Sequence, residues 1–276
     1  MRELPPPNYE YEISKLVNAY KQAMLDIQRE LQRMDLNDFQ RATANATLKS
    51  IADILAQLDE TTSAWIQTNV PVAVNDGIVR SIIALEIVST VVEAENIVKF
   101  SRLNSDLIKA VVADTQDDLL QVTQNVSRKV RTTIRQVTAE VLRANTTKGI
   151  NGTSALTSDL VANLRKQLGS AVETGIIDAS RRRWKPEVYA EMVVRTKMLQ
   201  AHKEATINDG ISRGANYGVI SRHGAKDACR NWEGKIVKLT PAAEGDYPYI
   251  GDLPNREIFH PNCKHVVSPV KRPDRV

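Results

Sequence analysis

The sequence predicts a mainly α protein: an extended helical arm with coiled-coil-like seams, followed by a small C-terminal α+β module. Three observations carry this. Aliphatic residues recur at alternating spacings of three and four through the first half, the 3.5-residue period of a narrow helix seam. Aromatic residues are only 5% of 276, so Leu, Ile, Val and Ala have to supply the contacts. After Gly214 the texture changes to short β-prone pieces separated by Gly, Pro, Asn and Asp.

The elements follow in order. Behind the Pro-rich start, Ile13, Val17, Tyr20, Met24, Ile27, Leu31 and Met34 draw one edge of a long helix. Asp35-Leu-Asn-Asp38 supplies turn and capping residues, and Leu48, Ile51, Leu55 and Leu58 resume the spacing, which predicts a helical hairpin. Pro71 and Asn75-Asp-Gly77 read as punctuation, and Ile78 to about Phe100 as a buried helix. Asn104-Ser-Asp106 marks a helix start, and Thr115-Gln-Asp-Asp118 has the spacing of a capping box. From there Leu119, Val122, Val126, Val130, Ile134, Val137 and Val141 form an apolar stripe ending before Lys148-Gly149. Its other face carries Arg128, Lys129, Arg131, Arg135 and Arg143. A polar linker from Asn151, a short helix around Leu160 to Leu168, and, with Pro186 as start signal, a helix from Glu187 to about Arg213 come next. Val219-Ile-Ser, Lys235-Ile-Val-Lys-Leu and His265-Val-Val are the β-prone pieces. The resulting division is a helical arm over 1–148, a linker with short helices over 149–186 and a C-terminal module over 187–276.

Composition excludes several classes. The start, Met1-Arg-Glu-Leu-Pro-Pro-Pro-Asn8, lacks the apolar core of a signal peptide, and the run from Ile82 to Val92 is too short for a bilayer and broken by Glu86, so a soluble protein without membrane contact is expected. Two cysteines make no disulfide framework, which suits a reducing compartment. The net charge of +4 hides an asymmetry: residues 1–120 sum to −7 and residues 121–276 to +11. A basic half suits phosphates, acidic protein surface or water. Within it Arg181, Arg182 and Arg183 are the first candidates, with Arg128, Lys129, Arg131 and Arg135, for nucleic-acid or anionic-partner contact.

All four histidines and both cysteines fall between His202 and His265. Thiolates and imidazoles suit zinc, and His260-Pro-Asn-Cys263-Lys-His265 with Cys229 upstream offers four tetrahedral ligands, although the spacing is not that of a standard finger. Buried free cysteines and surface histidines explain the same letters without any cofactor. A Cys229 nucleophile with His260 or His265 as base and Asp227 as third member is a further alternative, a cysteine hydrolase, as is a metal-dependent nuclease of His-Asn-His type. No oxyanion-hole signature or nucleophile elbow accompanies the first, and the spacing is far too short for the second. Trp184 and Trp232 are expected to pack the module core, and Arg195, mid-helix, to make a buried hydrogen-bonded or ionic contact.

Several separate motifs carry a resemblance. Gly175-Ile-Ile-Asp178, Arg182-Arg-Trp184, Tyr189-Ala-Glu-Met-Val-Val-Arg-Thr196, His223-Gly-Ala, Trp232-Glu-Gly-Lys235 and the closing His260-Pro-Asn-Cys-Lys-His265 occur in the order seen in phage minor capsid proteins of the MuF-like group (phage head morphogenesis, minor capsid protein 2). Residues 150–270 resemble that domain, the last motif being similar to its terminal His-Pro-x-Cys-Arg signature. The resemblance implies a non-enzymatic head protein of a tailed bacteriophage, assembled in the host cytoplasm, associated with the portal and other head proteins and oligomeric in the particle. It also implies contact with packaged double-stranded DNA or a part in its ejection. It carries over no catalytic residues. His265 stands where related domains often have a second cysteine, so any ligand set here is mixed.

Overall fold

A computed structural model describes residues 4–36, 41–151, 158–173, 176–177 and 181–275. The protein is mainly α with a small antiparallel sheet near the C-terminus, as the periodicity predicts. The helices are α1 (Glu10–Arg33), α2 (Arg41–Ala84), α3 (Val91–Ile97), α4 (Arg102–Asn151), α5 (Ser158–Glu173) and α6 (Pro186–Ser212). The strands are β1 (Ile176–Ile177), β2 (Arg183–Trp184), β3 (Tyr217–Ile220), β4 (Ile236–Lys238) and β5 (Val267–Val270). Among the described residues no helix is long and apolar enough to cross a membrane. The chain forms two compact units, each assembled from separated stretches of sequence.

One unit comprises Ser14–Ala64 and Gln116–Glu191. Its core is built from the predicted seams. Leu16, Tyr20, Ile27 and Leu31 of α1, Ile51, Leu55 and Leu58 of α2, and every member of the α4 stripe from Leu119 to Val141 are buried, joined by Leu164 and Leu168 of α5. The Arg165 guanidinium donates to the carbonyls of Gln32 (2.7 Å) and Met34 (3.3 Å), closing the C-terminal end of α1, where free carbonyls favour a cation. Ile176 and Ile177 pair antiparallel with Trp184 and Arg183. The linker expected after Asn151 lies, over 152–157, outside the described residues, as do Gly175 and Asp178.

The other unit comprises Met1–Ile13, Trp65–Thr115 and Met192–Val276. Here the structure departs from the sequence expectation in three places. Pro71 and Gly77 do not interrupt the chain: α2 runs through both to Ala84. A proline in a helix forfeits one backbone bond, and the residues after it, Ala73, Val74, Ile78 and Ile82, are each 0% exposed, a burial that offsets that loss. The expected helix to Phe100 instead stops at Ala84; Glu86 adopts φ +56° and α3 begins afresh. Thr90 and Glu93 form a full capping box there, side chain to backbone in both directions. Likewise Thr115 starts no helix. It lies inside α4, its hydroxyl donating to the Val111 carbonyl at 2.6 Å.

In the same unit the sheet order is β4-β3-β5, all antiparallel, with Val219 opposite Ile236 and Ser268. Pro269 is tolerated because β5 is an edge strand. Helix α6 lies on β5 at Gly210, where any added Cβ would come within 2.6 Å of the Pro269 ring. Arg195 makes an ionic contact as expected, though at the surface rather than buried, its Nε and Nη2 gripping both oxygens of the exposed Glu10 at 3.2 and 2.6 Å.

Candidate functional site

The motif His260-Pro-Asn-Cys263 folds as a tight turn for reasons visible in its letters. Proline suits the second position, Asn262 supplies the positive φ (+65°) needed at the third, and the Cys263 N–H donates to the His260 carbonyl at 2.9 Å. The two flanking side chains, at first and fourth positions, therefore leave the turn together. Asn262 N–H anchors it to α6 through Thr196 Oγ1 (3.3 Å). Opposite stands a short 3-10 helix, Ala228–Trp232, whose start is capped by Asp227 Oδ1 accepting from the Cys229 N–H (3.1 Å).

This places Cys229 Sγ 3.1 Å from His260 Nε2 and 3.6 Å from Cys263 Sγ. The ligand atoms of Cys229, His260 and Cys263 lie within 4.8 Å of one another. His265, the fourth residue predicted, belongs to a neighbouring trio with His223 and Glu233 and meets the first group where its Nδ1 lies 3.3 Å from Cys263 Sγ. His202 stands apart, buried in α6, where burial and then Arg80 hold its pKa at about 3 and keep the ring neutral. Both cysteines are free and sit in a small core with Ile220, Val237, Leu239, Leu253, Ile258 and Val267. A cleft of about 310 Å³ opens beside them, lined by Thr196, Gln200, Lys203, Phe259, His260 and Cys263 among others.

Glu233 escaped the sequence reading, although the Trp232-Glu-Gly-Lys235 run marked its turn. One carboxylate oxygen accepts from the backbone N–H groups of His223 (2.9 Å) and Ala225 (3.0 Å) and lies 3.3 Å from His265 Nε2. Those backbone bonds, then His265, pull its pKa down to about 2. A fixed carboxylate at Nε2 places the proton there, and burial, then the charge of His223, lowers the His265 pKa; the Nδ1 lone pair faces His223 Nε2 at 3.2 Å as well as the Cys263 sulfur. The site therefore has the carboxylate–histidine arrangement that orients metal ligands.

Cys229 is poorly placed as a nucleophile. Burial first, then the second thiol and Asp227, push its pKa up, which favours the thiol over the reactive thiolate. Asp227 Oδ2 lies 3.3 Å from His260 Nε2, the same nitrogen that faces the sulfur, rather than orienting the ring from Nδ1. His260 Nδ1 faces the Pro261 carbonyl at 2.9 Å.

The tryptophans part company. Trp232 packs against the small core, with Nε1 donating to Glu257 (3.1 Å) and Lys235 Nζ 4.5 Å from its ring centre. Trp184 lies in the other unit, edge-on to Tyr189 at 6.2 Å with Arg182 5.3 Å over its ring. That unit also holds the basic candidates. Arg128, Arg131, Arg135, Arg181, Arg182 and Arg183 are exposed and Lys129 is half-buried; burial, then the charge of Arg183, lowers the Lys129 pKa, so these two cations share a neighbourhood.

The family described as phage minor capsid protein 2 matches residues 4–271. Comparison with curated proteins and with solved structures gave no match. Because the match takes in the helical segments as well as the Cys/His module, the whole chain, not its C-terminal part alone, belongs to the phage minor capsid protein 2 family, a structural component of the phage head.

Proposed function

We propose that the protein docks on the portal during head assembly through the apolar surface around α3. One observation carries this reading. Ile87, Val91, Val92, Ile97, Phe100 and Leu103 lie within 17 residues and are each between 39% and 67% exposed. Folded monomers rarely leave such a run in water, and a patch of this kind marks a protein contact. Membership of a capsid family supplies the class of partner, and the resemblance to MuF-like proteins favours the portal. The double substitution Val92→Asp and Phe100→Asp places charge on exposed positions and spares the Thr90–Glu93 cap. Co-expressed with portal and capsid proteins, this variant is expected to co-purify at a tenth of the wild-type level or less. Unchanged co-purification rejects the reading.

A second reading rests on the basic side of the other unit. Arg128, Arg131 and Arg135 follow one exposed face of α4, and Arg181, Arg182 and Arg183 are exposed in the same unit. Packaged DNA is the anion we assign to it. Reversing Arg181, Arg182 and Arg183 to Glu is expected to flatten the dependence of log affinity on log salt by about 0.9 for each phosphate no longer neutralised. A slope equal to that of the wild type removes these three residues from the interface.

A further inference from the structure

We propose that Cys229, His260 and Cys263, with His265 as fourth ligand, bind one zinc ion or a similarly soft divalent cation that clips the C-terminal module together. The spacing of Cys229, His260 and Cys263, mutually within 4.8 Å, supports the first three ligands, and His265 meets them at Cys263. Tetrahedral zinc with sulfur at about 2.3 Å and nitrogen at about 2.0 Å requires S···S edges of about 3.8 Å and S···N edges of about 3.5 Å. The corresponding separations are 3.6 Å for the two sulfurs, 3.1 Å for Cys229 to His260 and 3.3 Å for Cys263 to His265. The fold has brought these side chains to ligand-like distances from residues up to 36 positions apart.

The contacts of His260 point the same way. Its Nδ1 faces the Pro261 carbonyl, while Nε2 faces both the Asp227 carboxylate and the Cys229 sulfur. A cation bound by the Nε2 lone pair would sit against that carboxylate and draw the two sulfurs in as thiolates, releasing their protons to solvent. Glu233 holds His265 through Nε2, leaving Nδ1 beside both Cys263 Sγ (3.3 Å) and His223 Nε2 (3.2 Å), so the fourth ligand reaches the ion by exchanging its contact with His223. The ion then joins the turn after β3 to the His260–Cys263 turn leading into β5. The intervening core is small, and a metal crosslink compensates for that.

The full-length protein, expressed with zinc in the medium and purified under reducing conditions without chelator, is expected to carry about one zinc per chain by elemental analysis. Cobalt substitution should give the intense visible bands of a tetrahedral thiolate site. Cys263→Ser and His260→Ala should each lower zinc content at least tenfold. Because these variants risk unfolding, the wild type provides a second measurement: chelator should lower its melting temperature and added zinc restore it. His265→Gln, which removes a ligand, should weaken zinc binding at least tenfold, while Asp227→Asn, which keeps the cap on the Cys229 turn, should weaken it less. The proposal is overturned by wild-type protein without zinc, by a Cys229–Cys263 disulfide in its place, or by zinc retained in Cys263→Ser. Loss of zinc in Asp227→Asn but not in His265→Gln overturns the fourth ligand.

Discussion

Gly77→Ala is expected to destabilise the unit containing the sheet by about 3 kcal/mol or more, at the upper end of what overpacking costs. A Cβ at this position would lie 2.3 Å from the His202 carbonyl oxygen and 3.0 Å from Ala205 Cβ. The first is backbone of α6, so relief requires the two helices to move apart rather than one side chain to turn. Separation would also break the bond from the Thr206 hydroxyl to the Gly77 carbonyl (3.0 Å), leaving the hydroxyl only its bond to the His202 carbonyl (2.8 Å). Against a typical domain stability of about 5–15 kcal/mol this is a large fraction. Gly169, inside α5, is the control: nothing lies within 4 Å of its added Cβ, and Gly169→Ala should stabilise by up to about 1 kcal/mol. Urea denaturation of both variants, followed by tryptophan fluorescence, tests the pair. Equal midpoints would refute the close approach as the reason for Gly77.

Gly77 also shows where sequence reasoning stops. Beside Asn75 and Asp76, a glycine is a turn signal by every local rule, and only the partner helix 125 residues later reveals it as a packing gap. The seam in α1 was legible because its period is a local property: Ile13, Val17, Tyr20, Met24, Ile27, Leu31 and Met34 are all buried, as their spacing requires. Thr115 failed for the opposite reason. Val111, Thr115, Leu119 and Val122 continue one buried stripe through the polar letters, so burial overrides the capping pattern and the hydroxyl turns back to its own helix. The capping box that does start a helix, Thr90 to Glu93, was written in an apolar stretch where no break was expected. At the site, the clustering of cysteine and histidine was visible, and so was the turn chemistry of His260-Pro-Asn-Cys263. The role of Glu233 was not, since its bond to His265 spans 32 residues and depends on strand register.

Arg80→Ala should cost about 3 kcal/mol, through polar groups rather than packing alone. Arg80 is 5% exposed, and burial lowers its pKa to about 10, which leaves it charged at neutral pH. Its Nη2 donates to the Leu4 carbonyl (3.2 Å) and to that of Pro5, and its Nη1 to Ser268 Oγ (3.3 Å). The Pro-rich start makes this possible: Pro5, Pro6 and Pro7 favour extended backbone whose carbonyls have no internal partner. One guanidinium thus ties the first described residues and the edge strand β5 to α2, joining the two ends of the chain within a single unit. Arg80→Lys replaces a planar fork by a point charge and should recover only part of the loss. Arg80→Met restores volume without donors and should recover less. Hydrogen exchange should accelerate together at the amides of Asn8 and Tyr9 and of Val267, Ser268 and Val270, with a matching fall in melting temperature. If Arg80→Met proves as stable as the wild type, the guanidinium serves as filler and the two termini are held by apolar contact alone.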